Sequence, residues 1–257
     1  MPPIQFEQPT GLRRQVPAGH ETDPRYERDK NWAPFQSPFS NDNDELSFIV
    51  EPGRVFRWTS SSEPVEDISV ELESAVEAPY PPWVKSKTWH STEKTCVHDI
   101  MMANQNVHQS TSMLMLTLCD RGKCEPHDGN TVMLGMVHRR YDTTSYPWSW
   151  YDRRMVVYAA ISPYKMMSVS KKLIYHGEAD GRYIWTGSMV YFKNHTGILY
   201  NRSHGFLDDE VWLSFGINDE ATGWLDVEAR DLIKDHYLCQ GASNEYRQSI
   251  RQIPIGL

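Results

Sequence analysis

Helical spacing of apolar positions is scarce along this chain, and short apolar runs of strand type dominate. Runs rich in Val, Ile, Tyr, Phe and Trp occupy 46–50, 55–58, 113–118, 131–137, 155–161, 166–169, 189–192, 211–217 and 224–227. Pro, Gly, Asn and Asp separate them, the punctuation of strands joined by turns. Only 68–76 and 228–235 place apolar residues at helical spacing. Polar and Pro-rich residues 1–28 read as a tail, residues 237–257 as a C-terminal tail, and 60–64 and 79–82 as long loops. The pattern predicts an all-β chain.

A weak repeat emerges when the strand openings are aligned. Lys30-Asn-Trp32, His108-Gln-Ser-Thr111 and Trp185-Thr-Gly-Ser188 begin 78 and 77 positions apart, counted from Lys30 to His108 to Trp185. Each is followed by a strand that ends in polar or Pro punctuation, at Pro52, His138 and Asp219, spaced 86 and 81 apart. A fixed period of several strands predicts propeller blades or stacked sheets, because one such unit cannot bury both of its faces alone. The units fall near 29–107, 108–184 and 185–236.

Composition narrows the function classes. The chain has 257 residues, 39% hydrophobic and 23% charged, as a globular protein does. Its 26 Lys+Arg against 34 Asp+Glu give a net charge of −8, and the densest basic spot is Arg139-Arg140, which argues against nucleic acid. The apolar runs 132–137 and 155–161 fall short of the ~18 residues of a membrane helix, and residues 1–28 lack the apolar core of a signal peptide.

The four cysteines are Cys96, Cys119, Cys124 and Cys239. Cys119 and Cys124 flank a short Gly-containing turn that a disulfide would close; buried thiols and, further down, a zinc site with His127 are the other readings. Asn194-His-Thr196 and Asn201-Arg-Ser203 are glycosylation acceptor triplets. Together with the cysteines they point towards a secretory lumen.

At the repeat boundaries the sequence resembles a known family. Asp29-Lys-Asn-Trp-Ala-Pro-Phe35 is similar to the E-K-N-W-x-P-F blade opening of five-bladed β-propeller sugar enzymes, the β-mannoside phosphorylases and related eukaryotic mannosyltransferases. His108-Gln-Ser-Thr111, Gly135-Met-Val-His-Arg139, Ser162-Pro-Tyr-Lys165 and Leu213-Ser-Phe-Gly-Ile-Asn-Asp219 follow in family order, so the likeness spans about 29–235. The resemblance implies about three blades of a five-bladed β-propeller. It further implies a glycosyltransferase-like protein acting on mannosyl donors by inverting transfer, without a cofactor. Partners would be a sugar donor (a nucleotide sugar or sugar 1-phosphate) and a glycan acceptor. The family's first two blades, which supply its catalytic acid, have no counterpart here beyond the isolated Asp23-Pro-Arg25. The catalytic residue is therefore unassigned, and the chain alone is expected to be inactive. An upstream anchor on a longer form would give a Golgi address.

Several residues have the chemistry a sugar site needs, namely cations or donors for phosphate, and amides and carboxylates for hydroxyls. Lys30 and Asn31 fit a phosphate contact and a hydroxyl contact; the bland alternative is a solvated pair capping a strand. Trp32 reads as blade core. His108, Gln109 and Thr111 replace the family's Arg-Gly-Gly-Thr-like turn. His138 with Arg139 reads either as donor and clamp for a sugar phosphate or as a strand-end histidine beside arginines paired to Asp142 or Asp152. Asp219 reads as a sugar-hydroxyl contact or a hairpin-turn residue. Glu178, Asp180 and the 208–210 acidic cluster read as solvated surface, with no calcium spacing. No Gly-x-Ser-x-Gly elbow supports serine hydrolysis. No metal ligand set stands out. Two rivals to the transferase remain: a phosphorolytic or hydrolytic relative, and a non-catalytic glycan-binding propeller remnant. Open sheet edges would favour self-association.

Overall fold

The computed structural model describes residues 32–37, 39, 46–58, 66–68, 96–101, 107–142, 149–176, 182–192 and 203–253. Their strands form three sheets. The first is antiparallel: β1 (Ala33–Phe35), β2 (Leu46–Glu51), β3 (Arg54–Trp58) and β4 (Glu66–Asp67), in that order. The central sheet contains β5 (Val107–Gln109), β6 (Leu114–Thr117), β7 (Thr131–Asp142), β8 (Ser149–Ala159), β9 (Met166–Val169), β11 (His204–Phe206) and β14 (Tyr237–Leu238). Its order is β11-β6-β7-β8-β9-β14, with β5 also on β7. The third sheet, β10 (Ile184–Phe192), β12 (Glu210–Ile217) and β13 (Ala221–Glu228), is antiparallel in the order β10-β12-β13. The helices α1 (Cys96–Met101), α2 (Ala229–Leu232) and α3 (Asn244–Gln252) are short.

Strands β7 and β8 explain the layering. Every residue from 131 to 138 is buried, as is every residue from 152 to 158. Successive strand residues point to opposite faces, so an unbroken buried run requires cover on both. Met133, Val137, Val156 and Tyr158 enter one core with Phe35, Ile49, Val55 and the α1 residues. Leu134, Met136, Met155 and Val157 enter another with Met189, Tyr191, Val211, Leu213 and Tyr246. The central sheet is thus the middle layer, with the first sheet and α1 on one side and the third sheet, α2 and α3 on the other.

Two stretches singled out by the family likeness meet across the first of these interfaces. The Phe35 ring stands edge-on to Tyr164 at 4.8 Å, and Ser37 Oγ donates to the Ala160 carbonyl at 2.5 Å. Trp32 packs on Phe48 and Phe56, with ring centroids 5.6 and 6.0 Å apart.

The all-β reading holds, and the described residues form no closed ring of sheets. The expected units are crossed by pairing: β11, from the third unit, adds to β6 in parallel. The C-terminal tail is a correction. From residue 237 the chain supplies β14, Cys239 and α3, whose Tyr246 is fully buried. This end is polar in sequence because α3 buries only one side, capped by the Ser243 hydroxyl accepting from the Tyr246 N–H. Helix α2 falls inside the predicted 228–235; the predicted helix 68–76, beyond Ile68, and the N-terminal tail 1–28 lie outside the described residues.

Disulfides join Cys119 to Cys124 and Cys96 to Cys239. The second spans 143 residues and ties α1 to the strand edge beyond β14. The Cys119–Cys124 loop is held by charge to segments flanking the third sheet: Arg121 pairs with Asp209 in the turn before β12, and Arg230 of α2 with Asp120 and Glu228.

Gly205 on β11 lies against the ring of Tyr191, and a methyl group there would collide with three ring atoms. Tyr191 cannot yield, since it is 1% exposed and its hydroxyl donates to the Met115 carbonyl at 2.9 Å. Gly205→Ala is expected to lower stability by about 1–3 kcal/mol in urea titrations. Gly187→Ala, where nothing lies within 3.9 Å, serves as the neutral control.

Candidate functional site

The interface between the central and third sheets changes character along its length. Around Leu134, Met155 and Leu213 it is apolar. Beyond Met136 it becomes aromatic and polar, because the same face of β7 and β8 then presents His138, Tyr151 and Arg153. His138 is fully buried. Its ring stands edge-on to Trp185 at 4.6 Å and tilts against Tyr151 at 5.3 Å. The Tyr151 and Trp185 rings are 4.9 Å apart, and the Tyr151 hydroxyl bonds that of Tyr183 at 3.1 Å. Arg153, paired opposite His138 in the ladder, lays its guanidinium over Tyr175 at 4.5 Å and donates to the Ile184 carbonyl at 3.3 Å. Tyr175 in turn bonds Thr186 at 2.8 Å.

Among the described residues neither ring nitrogen of His138 has a hydrogen-bond partner, and neither has Arg153 Nε. Buried polar atoms are normally satisfied, so such a pair marks unused bonding capacity. Burial, reinforced by the Arg153 charge and by His108, holds the His138 pKa well below the ordinary histidine value. The neutral ring then offers one donor and one acceptor. Burial, together with the Tyr183 hydrogen bond, pushes the Tyr151 phenol upward, and Asp219 adds to that shift.

Three predicted residues converge here. His108 is opposite His138 in the β5–β7 ladder. Asp219 sits exposed in the β12–β13 hairpin turn, where Asn218 and Asp219 have φ of 53° and 57°. Asn218 Oδ1 accepts from the Tyr183 N–H at 3.0 Å, anchoring that turn to the cluster.

Two others do not join them. Arg139 follows His138 on the strand and points to the opposite face. Its guanidinium donates to the Met101 carbonyl of α1 and covers Tyr141 at 4.4 Å, so it is no clamp beside His138. Thr111 is buried and its hydroxyl accepts from the Met136 N–H at 3.0 Å, a strut of the sheet. Asp152 pairs with Arg154 at 3.4 Å. Lys30, Asn31, Asn194 and Asn201 lie outside the described residues. The sequence reading named Trp185 only as a strand opening and missed Tyr151, Arg153 and Tyr183, which lie outside the apolar runs it took as strands; Arg153 opposite His138 becomes visible only once the ladder register is known.

A cleft of about 490 Å³ opens where the three sheets meet, lined among others by Phe35, Gln36, Ser112, Met113, Met189 and Val190. Its described lining carries no charge, which suits an apolar group better than a sugar phosphate. Among the described residues no three His, Cys, Asp or Glu side chains gather to hold a metal ion, and no helix is long and apolar enough to cross a membrane. No protein-family profile, curated protein or solved structure matches this chain.

A second histidine, partly buried, belongs to the scaffold. His236 Nε2 donates to the Leu232 carbonyl and Nδ1 accepts from the Ser168 hydroxyl, both at 2.8 Å, while the Tyr246 hydroxyl approaches Ser168 at 2.5 Å. This chain joins α2 and α3 to β9; fully buried Ser168 serves as a cross-link, not a nucleophile. Burial lowers the His236 pKa to about 4. Between about 6.5 and 4 the unfolded chain binds the proton more readily than the folded one, so acid favours unfolding. Stability measured by denaturant titration should be full above pH 6.5 and fall towards pH 4, by no more than about 3 kcal/mol from this group. His236→Gln should flatten that slope.

Proposed function

We propose that this chain is the sugar-binding β-sheet part of a glycosyl-transferring protein acting on mannosyl donors. The observation that carries the reading is His138, fully buried and without a hydrogen-bond partner among the described residues. Around it gather residues from motifs far apart in sequence, together with aromatic rings. A pyranose offers hydroxyl edges and an apolar face, so it is recognised by neutral donors and acceptors, a carboxylate and aromatic walls. Here His138 supplies donor and acceptor, Asp219 a carboxylate at the rim, and Tyr151, Tyr183 and Trp185 the walls. Arg153 adds positive charge below, which suits a phosphate-bearing donor over a neutral glycoside. In inverting transfer an acceptor hydroxyl displaces the leaving phosphate at the anomeric carbon while a carboxylic acid or base handles the proton. These residues bind and orient; the proton-handling group is not assigned.

Mannose 1-phosphate and GDP-mannose titrated against tryptophan fluorescence test the proposal. Saturable quenching is expected, with Asp219→Asn weakening affinity by about 1.5–3 kcal/mol, roughly ten- to a hundredfold. His138→Phe, which keeps the site filled and apolar, should abolish the response with circular dichroism unchanged. No saturable binding of either compound, or affinity indifferent to both substitutions, would contradict it.

A further inference from the structure

The open edges of the three sheets are not alike. β1 and β4 bound the first sheet; β1 has 3 residues and carries Pro34, and β4 has 2. β11 and β14, at the ends of the central sheet, have 3 and 2 residues. β10, one edge of the third sheet, is 9 residues long but breaks register between Thr186 and Ser188. Short strands, proline and irregular register are devices that keep an edge from pairing with another chain. β13 has none of them. It runs 8 residues without Pro, Lys or Arg, in unbroken register with β12 from Glu210↔Glu228 to Ile217↔Ala221. Among the described residues nothing pairs with its other edge.

An aromatic stack leads to that edge. Phe192 and Trp212 stack at 4.6 Å with 6° between planes, and Trp212 and Trp224 at 4.6 Å with 12°. Each ring uses its flat face against the next. Trp224, at the end of the series, is 61% exposed, the most exposed large apolar side chain among the described residues.

We propose that β13 pairs with β13 of a second copy of this chain, as a two-fold antiparallel ladder centred on Leu225. Within the third sheet, Trp212 stands opposite Asp226 and stacks diagonally on Trp224. Centring on Leu225 sets Trp224 of each copy opposite Asp226 of the other and repeats that diagonal. The two Trp224 rings then meet, and the stack continues from one copy into the next. Charge selects the same register. Glu228 faces Thr222 of the other copy, so no two carboxylates stand opposite; centring on Trp224 instead would set Glu228 against Glu220. The new ladder also satisfies backbone groups that the edge leaves to water.

Sedimentation velocity of the full chain over a wide concentration range tests this. The wild-type protein is expected at twice the monomer mass. Trp224→Lys, which removes an exposed ring and puts a charge on the edge, should sediment as a monomer with unchanged circular dichroism. The double variant Thr222→Cys/Glu228→Cys should cross-link into covalent dimers under mild oxidation, and the two positions cannot bridge within one strand, being about 20 Å apart. A wild-type monomer at every concentration overturns the proposal. So does a dimer that survives Trp224→Lys, or one that fails to cross-link in the double variant.

Discussion

The β7–β8 ladder is buried on both faces, and the rest of the structure is arranged to keep it so. Where residues 131 to 138 of β7 are all buried, the strand has no wet face to offer. The first sheet with α1 must cover one side, and the third sheet with α2 and α3 the other. The covalent and polar ties serve that closure. The Cys96–Cys239 bridge anchors α1, the Tyr246–Ser168–His236 chain anchors α2 and α3, and the Arg121 and Arg230 pairs hold the Cys119–Cys124 loop against α2 and the turn before β12. The outer sheets need cover on one face only, which leaves the far face of the third free to carry its aromatic stack.

The same constraint makes the site. His138 is the last of the continuously buried β7 residues, on the face turned to the third sheet, where aliphatic packing gives way to Tyr151, Tyr175, Tyr183 and Trp185. An imidazole held there is shielded from water yet left without a partner among the described residues. Such a group carries the desolvation cost of burial and recovers it when a ligand supplies the missing bonds. In the proposed reading, that is the physical link between the layered fold and a polyhydroxylated ligand.

Much of the strand content was legible because Val, Ile, Met and aromatic runs are broken by turn residues. The runs at 131–137 and 166–169 fall within β7 and β9. Length was underestimated where strands end in charge, as in Arg139 to Asp142, since a charged strand end looks like a loop. The C-terminal helix was illegible for the opposite reason: a single fully buried ring, Tyr246, secures nine otherwise mostly polar residues. At the site, sequence order could name His108, His138 and Asp219 but could not separate Arg139 from His138. That separation follows from strand alternation, and the pairing of Arg153 with His138 from register. Both are properties of the folded ladder.

The most direct test of this account is the ring titration of His138 by nuclear magnetic resonance on the intact protein. Burial beside Arg153 predicts a titration midpoint well below that of an ordinary histidine. A midpoint near the unperturbed value of about 6.5 would mean that water reaches the ring. The buried ladder, and the site built on its end, would then both be wrong.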